Sequence, residues 1–337
     1  MSSVEGLEVG AESDLSLLQA VRAALTDAMD EDDRVVLLGQ DVGRLGGVFR
    51  ATEGLDARFP GRVFDTPLAE AGIVGASVGL AIGGLVPVAE IQFLGFLHQA
   101  FHQVTQQLAR YRFRSRGRFH LPVTIRAPYG GGLRMPEFHA DSLEAQLANT
   151  PGLKVFAPAF PDDAYALLRA AVRDPDPVVF LEPQRLYRSV RGAVVPGAVA
   201  EASIGVRLRR DGDDLLLVGW GPTVHTCLRA AHELEARHGV RSAVLDLRVL
   251  SPIDHDGLCG AAAARRRVVV VHEGVRTAGL GAEIVATLQE SLAQTISLPI
   301  LRVTAPDSPY PPGRLEDAFL PSPEKVVEAA LPVVSRP

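Results

Sequence analysis

The chain has 337 residues, 47% of them hydrophobic and 22% charged, with a formal net charge of −6 and a pI near 5.9. That length exceeds one ordinary core and suits two domains, and the acidic balance argues against a nucleic-acid binder. Cys227 and Cys259 form no C-x-x-C pair, which sets aside a disulfide framework and a cysteine metal site.

The chain starts with MSSVEGLEVGAESD, which lacks both an apolar signal core and an Arg-rich presequence, so a cytoplasmic protein is expected. Residues 14 to 30 read as an amphipathic helix and RVVLLG, 34 to 39, as a buried strand. A glycine-rich loop, QDVGRLGGVFRATEGL, follows. In DTPLAEAGIVGASVGLAIGG, Thr66 reads as an N-cap, Pro67 as the first helical residue, and Gly75, Gly79 and Gly83 share one smooth helix face. Glycine costs about 1 kcal/mol against alanine in a helix interior, so close packing of another backbone is expected to offset it. Residues 71 to 89 carry no charge, but five glycines and acidic flanks at Glu70 and Glu90 exclude a membrane span. The strand LVPVAEIQF, a helix at about 97 to 111 and the strand LPVTIRAP lead to the loop YGGGLRMPEFHADS. GLKVFAP, the helix PDDAYALLRAAVRD and PVVFLEP complete the alternation of a parallel α/β sheet. After a compositional shift at about 189 to 212, read as a linker, a second series begins. DLLLVGWG, RSAVLDLRVL, RRRVVVVHEG and LPILRVTAP read as strands, with helices at PTVHTCLRAAHELEARHG and near 280 to 294. The fold class is α/β: two tandem α/β domains, 1–198 and 199–337.

Several residues admit two readings. Glu70 is either a first-turn acid favoured by the helix dipole or an acid placed for chemistry, and the residues alone favour the first. His139 lies in a loop beyond a strand end, where open α/β sheets bind ligands, though most loop histidines are only solvated. The arginines at 110, 112, 114, 116 and 118 read as carboxylate partners at an interface sooner than as phosphate contacts. Gly130 to Gly132 lack the Gly-Lys-Ser/Thr of a P-loop. His225, His232 and His238 read as surface residues, and His272-Glu273 as structural.

The segments DTPLAEAGIVGASVGLAIGGLVPVAEIQF, RYRFRSRGRFHLPVTIRAPYGGG, FHADSLEA, PGLKVFAP and FLEPQRLYR, then LDLRVLSPID and LRVTAPDSPYP, carry a family likeness. In that order, over about residues 14 to 330, they resemble the beta subunits of thiamine-diphosphate-dependent 2-oxo acid dehydrogenases. The HADSLEA and RVTAPD forms look most like the pyruvate type of Gram-positive bacteria. Branched-chain 2-oxo acid dehydrogenase and acetoin dehydrogenase beta subunits are the nearest alternatives, and a non-catalytic docking subunit is the alternative of another class.

The resemblance implies a thiamine-diphosphate-binding pyrimidine-type domain followed by a transketolase C-terminal-type domain, in an α2β2 heterotetramer with an alpha subunit. Glu70 matches the glutamate that hydrogen-bonds the cofactor's pyrimidine N1′, where proton exchange favours the tautomer able to activate the thiazolium C2. Phe96 matches the aromatic packed on the pyrimidine, Gln40 and Gln99 fall at cofactor-binding positions, and His139 matches the histidine that assists acyl transfer to the lipoyl domain. Backbone carbonyls of Val123, Ala171, Val172, Asp174 and Asp176 match a structural potassium site of some relatives. The family's diphosphate and magnesium motif, GDG with a later asparagine pair, does not occur, so magnesium is expected on the alpha subunit. The dihydrolipoyl acyltransferase is expected to dock through its subunit-binding domain. Gln40 replaces the glutamate of GEDVG, and His102 the aspartate of AFDQ.

Overall fold

A computed structural model describes residues 13–197, 204–296 and 299–335. The segment before Ser13 and the middle of the expected linker, 198–203, lie outside the described residues. Strand β1 (Ser13–Ser16) leads into α1 (Leu17–Glu31), β2 (Val35–Gly39), α2 (Leu55–Arg58), β3 (Val63–Asp65), α3 (Glu70–Ile82) and β4 (Val86–Glu90). A 3-10 helix, Leu94–Ala100, runs through a π-helical turn, Gln103–Leu108, into α4 (Ala109–Arg114). Then come β5 (Thr124–Tyr129), α5 (Glu144–Ala148), β6 (Lys154–Phe156), α6 (Pro161–Arg173), β7 (Val178–Pro183) and β8 (Arg191–Val194). The second series is β9 (Arg207–Arg210), β10 (Leu215–Gly219), α7 (Pro222–His238), β11 (Ser242–Asp246), β12 (Val249–Ser251), α8 (His255–Arg265) and β13 (Val268–Val275). It ends with α9 (Leu280–Leu292), β14 (Leu301–Ala305), α10 (Glu316–Phe319) and α11 (Pro323–Val334).

The first sheet has the order β12-β6-β7-β5-β4-β2-β3 and is parallel except for β12. The second, β14-β13-β10-β11-β9, is parallel except for β9. Strands buried on both faces read as continuous apolar runs, as VVLLG and LLLVG do. Helices α1 and α6 cover one face of the first sheet through Leu17, Val21, Leu25, Leu167 and Leu168. On the other face, Ile73, Leu97 and Val104 belong to a core that continues through Tyr129 and Leu147 to Trp220 and Leu250. The domains therefore share one apolar core.

Five expectations are corrected. Residues 14 to 16 are strand, and the helix starts at Leu17 because Ser16 and Gln19 form a reciprocal capping box. Thr66 is not a cap: α3 opens at Glu70 behind Ala69, and Thr66 instead continues the turn from β3, its amide donating to Gly39 O at 3.0 Å. RSAVLDLRVL is two strands, since Arg248 takes a left-handed backbone (φ 60°) and sends β12 to the first sheet. The expected linker is strand at both ends, β8 pairing with β1 and β9 with β11. His225 is half-buried under the first domain, its Nε2 2.8 Å from Ala159 O, and burial lowers its pKa.

Candidate active site

The five expected site residues follow the C-terminal ends of four adjacent parallel strands. Gln40 follows β2, Glu70 opens the helix after β3, Phe96 and Gln99 lie on the 3-10 helix after β4, and His139 lies in the loop after β5. This is where an open α/β sheet leaves a crevice for a ligand.

Glu70 is only 6% exposed, and among the described residues its carboxylate has no hydrogen-bond or ion-pair partner. The free amides of the first turn of α3 give it a favourable dipole, and a largely buried residue whose carboxylate meets no protein donor leaves that carboxylate available to a ligand donor. Phe96 is half-buried, its ring edge-on to Phe93 at 5.6 Å and to His139 at 5.0 Å. The His139 ring also lies 4.5 Å from Phe93. Its Nδ1 is 3.0 Å from Glu137 O. A carbonyl only accepts, so Nδ1 carries the proton and Nε2 of the neutral ring keeps its lone pair. Gly95 lets this loop seat on the 3-10 helix: a Cβ there would stand 2.1 Å from Phe138 O. Gln40 is half-buried, whereas Gln99 is exposed and makes no hydrogen bond among the described residues. His102 is exposed and faces Gln107 at 3.4 Å, with no salt bridge.

Beneath the site lies a charged network absent from the sequence reading. Arg126 donates to Glu90 at 2.8 Å and through two nitrogens to Glu182 at 2.7 and 2.9 Å, and Tyr187 donates to Glu182. Burial raises the Glu90 pKa while the Arg126 guanidinium opposes the rise. The legible signal is one charged residue within each otherwise apolar strand, in VPVAE, TIRAPY and VVFLEP.

A second polar seam joins the domains. Glu144 is 1% exposed, and burial pushes its pKa up to about 7. His272 stacks on Trp220 at 5.1 Å, and burial holds its pKa down to about 4. Glu273 pairs with Arg185 at 2.5 Å and accepts the Gly131 amide at 3.0 Å, the structural role expected of it. Glu316 accepts the amides of Gly132 and Arg134, and Gln184 donates to the carbonyls of Gly130 and His139. None of these contacts has a local sequence signature.

At or beyond the carboxyl ends of β2, β3 and β5, Leu45, Val48, Phe64, Leu68, Leu133 and Phe138 are exposed, and so are Gly72, Gly75 and Gly79 of α3 and Gly83 at its end. A patch of this kind marks an interaction surface. Of the arginine stripe, Arg112 pairs with Asp176 at 2.6 Å, and all five arginines are exposed.

The buried, unpartnered acid at the lip and the aromatic cluster beside it suit a ring nitrogen and ring face such as a pyrimidine presents. Among the described residues no group of three or more His, Cys, Asp or Glu could hold a metal ion. Of the carbonyls expected to hold potassium, Val123 O accepts from Val178 N and Ala171 O from Asp174 N at 3.0 and 3.2 Å, which leaves each a second lone pair. Lys154 lies 2.5 Å from the Asp174 carboxylate there. Among the described residues no helix is long and apolar enough to cross a membrane.

Two family matches cover most of the chain: Transketolase, pyrimidine binding domain, over residues 13–190, and Transketolase, C-terminal domain, over residues 205–326. The protein is thus built from two tandem transketolase-type domains, of a thiamine-diphosphate-binding class. It is 45% identical over 322 residues to the pyruvate dehydrogenase E1 component subunit beta of Bacillus subtilis, covering 95% of this chain and 98% of the relative. It is 46% identical over 325 residues to the 3-methyl-2-oxobutanoate dehydrogenase subunit beta of Mycobacterium tuberculosis, covering 96% and 93%. Among solved structures, an inactive beta4 tetramer of a split gene transketolase superposes with a TM-score of 0.77 at 24% identity, covering 95% and 98% of the two chains. The chain belongs to the family of 2-oxo acid dehydrogenase E1 beta subunits.

Proposed function

We propose that this chain is the beta half of a 2-oxo acid decarboxylase, pyruvate being the first candidate substrate, that shares thiamine diphosphate with an alpha subunit and passes the acyl group to a lipoyl domain. The observation that carries the reading is the largely buried Glu70, whose carboxylate meets no protein partner, at the carboxyl-end face of the first sheet. Thiamine diphosphate held there would supply nucleophilic-carbon and electron-sink chemistry for decarboxylation of a 2-oxo acid. Glu70 holds and exchanges the proton at the pyrimidine N1′, Phe96 packs on the ring, and Gln40 and Gln99 border it. His139, with Nε2 free to accept, serves the lipoyl group. The exposed glycine face of α3 and the apolar rim meet partner subunits in the α2β2 assembly. Magnesium belongs to the alpha subunit, and a structural potassium ion fits the turn of Val123, Ala171, Val172, Asp174 and Asp176.

The remaining assignments follow from the same reading: a pyrimidine-type domain at 1–198, a C-terminal-type domain at 199–337 that meets the acyltransferase's subunit-binding domain, and a cytoplasmic location. The Mycobacterium tuberculosis relative, at similar identity, supports a branched-chain alternative. A pure docking subunit would have no use for the isolated Glu70 carboxylate. The test is Glu70→Gln in the heterotetramer. General acid–base work is worth roughly 10²–10⁴-fold, so turnover falls by that order while assembly persists, and a wild-type rate overturns the reading. The same assay across pyruvate and branched 2-oxo acids identifies the substrate.

A further inference from the structure

The loop of residues 130–139 carries His139 at its far end, and its near end is gripped by the second domain. Glu316, 2% exposed at the start of α10, accepts from Gly132 N at 2.8 Å and from Arg134 N at 3.1 Å, and also from the Tyr310 hydroxyl. Three donors therefore converge on one buried carboxylate from the other domain, the charge-assisted kind of bond that is shortest and strongest. The approach requires glycine: a Cβ on Gly131 would stand 2.2 Å from the Tyr310 oxygen, and one on Gly130 would stand 2.7 Å from Glu273 Oε2.

The near end is tied in turn to the far end. Gln184, 2% exposed, donates from one amide nitrogen to Gly130 O and, at 2.8 Å, to His139 O. Both partners are carbonyls, so the NH₂ must face them and each hydrogen serves one. A continuous set of bonds runs from Glu316 through the loop to the backbone of His139. We propose that Glu316 is a positioning residue for His139, so that the second domain sets where the imidazole sits. This rests on the reading of His139 as the group serving the lipoyl acceptor.

The test compares two reactions of the assembled heterotetramer: acyl transfer to a lipoyl domain, and decarboxylation read with an artificial electron acceptor. Misplacing a reacting group by about 1 Å costs on the order of 10²-fold. Glu316→Gln keeps shape but loses the charge and one acceptor, so acyl transfer falls at least severalfold with KM for the 2-oxo acid unchanged, and decarboxylation falls much less. In His139→Ala/Glu316→Gln the second change adds nothing to the loss caused by His139→Ala, because both act through one group. Gln184→Met, which removes the tether from within the first domain, must give the same split, and it keeps the question open to refutation if a Glu316 variant fails to fold. Losses that multiply in the double variant, or that fall equally on both reactions, make Glu316 merely structural and overturn the inference. A wild-type acyl-transfer rate in His139→Ala instead overturns the underlying reading of His139.

Discussion

Gly95→Ala probes the seat of the His139 loop with a single methyl group. The added Cβ would lie 2.1 Å from Phe138 O, 2.9 Å from its carbonyl carbon and 3.0 Å from its Cα. All three are backbone atoms, so no side chain can swing aside. Real Cβ atoms essentially never approach within 3.0 Å, so the loop must retreat by roughly 1 Å, an overpacking that costs about 1–3 kcal/mol. Phe138 already takes a left-handed backbone (φ 71°), which leaves little freedom to absorb the shift. The displacement carries His139 away from Phe93 and Phe96, and under the role proposed for His139 a shift of this scale costs on the order of 10²-fold in rate. The assay pairs thermal unfolding of the chain with acyl transfer in the heterotetramer. The expected result is a melting point lower by a few degrees with transfer strongly slowed. An unchanged melting point together with wild-type transfer would refute the close seating on which the reasoning depends.

Two further outcomes follow from other parts of the molecule. A Cβ at Gly79 meets nothing within 4 Å in this chain, so Gly79→Leu leaves the isolated chain folded yet blocks subunit association, and a normal heterotetramer on size-exclusion chromatography would show that this face is not an interface. Glu144 binds its proton more tightly folded than unfolded, from an ordinary value of 4.5 up to about 7. Its contribution is therefore complete below pH 4.5 and is lost as pH rises to about 7. Glu144→Gln keeps the neutral shape and gains over wild type across that window, and parallel stability–pH curves for the two proteins would show that the carboxyl does not titrate there.

Alternation of apolar strands and amphipathic helices made the two α/β units legible, because each element's burial is written in its own period. Glu70 was placed correctly at a helix start, but the cap was misread at Thr66 because the turn after β3 places Ala69, which has no capping oxygen, directly before the helix. Arg248 shows a different limit. Nothing in the residue types distinguishes RVL from the strand before it; the left-handed turn at Arg248 redirects the chain to the first sheet, and Arg248 pairs there with Asp163 at 3.0 Å, 85 positions earlier in the sequence. The run Gly130 to Gly132 failed as a phosphate loop, and its reason emerged only in three dimensions, where Glu273, Tyr310 and Arg185 crowd it. Long-range polar contacts of this kind carry no period for a sequence to display.

Strand β12 has a practical consequence for dissecting the molecule. Its residues, Val249 and Ser251, pair with Phe156 and Val155 and so cap the β6 edge of the first sheet. A cut between the two family-matched regions would therefore remove a strand from the unit it was meant to isolate. The bared β6 edge would offer unpaired backbone groups to any neighbouring chain, the usual route to aggregation. Gene fission or circular permutation of this protein has to respect that exchange: a fragment holding the first sheet needs residues 249–251 supplied, and a new terminus is better placed elsewhere than on either side of β12.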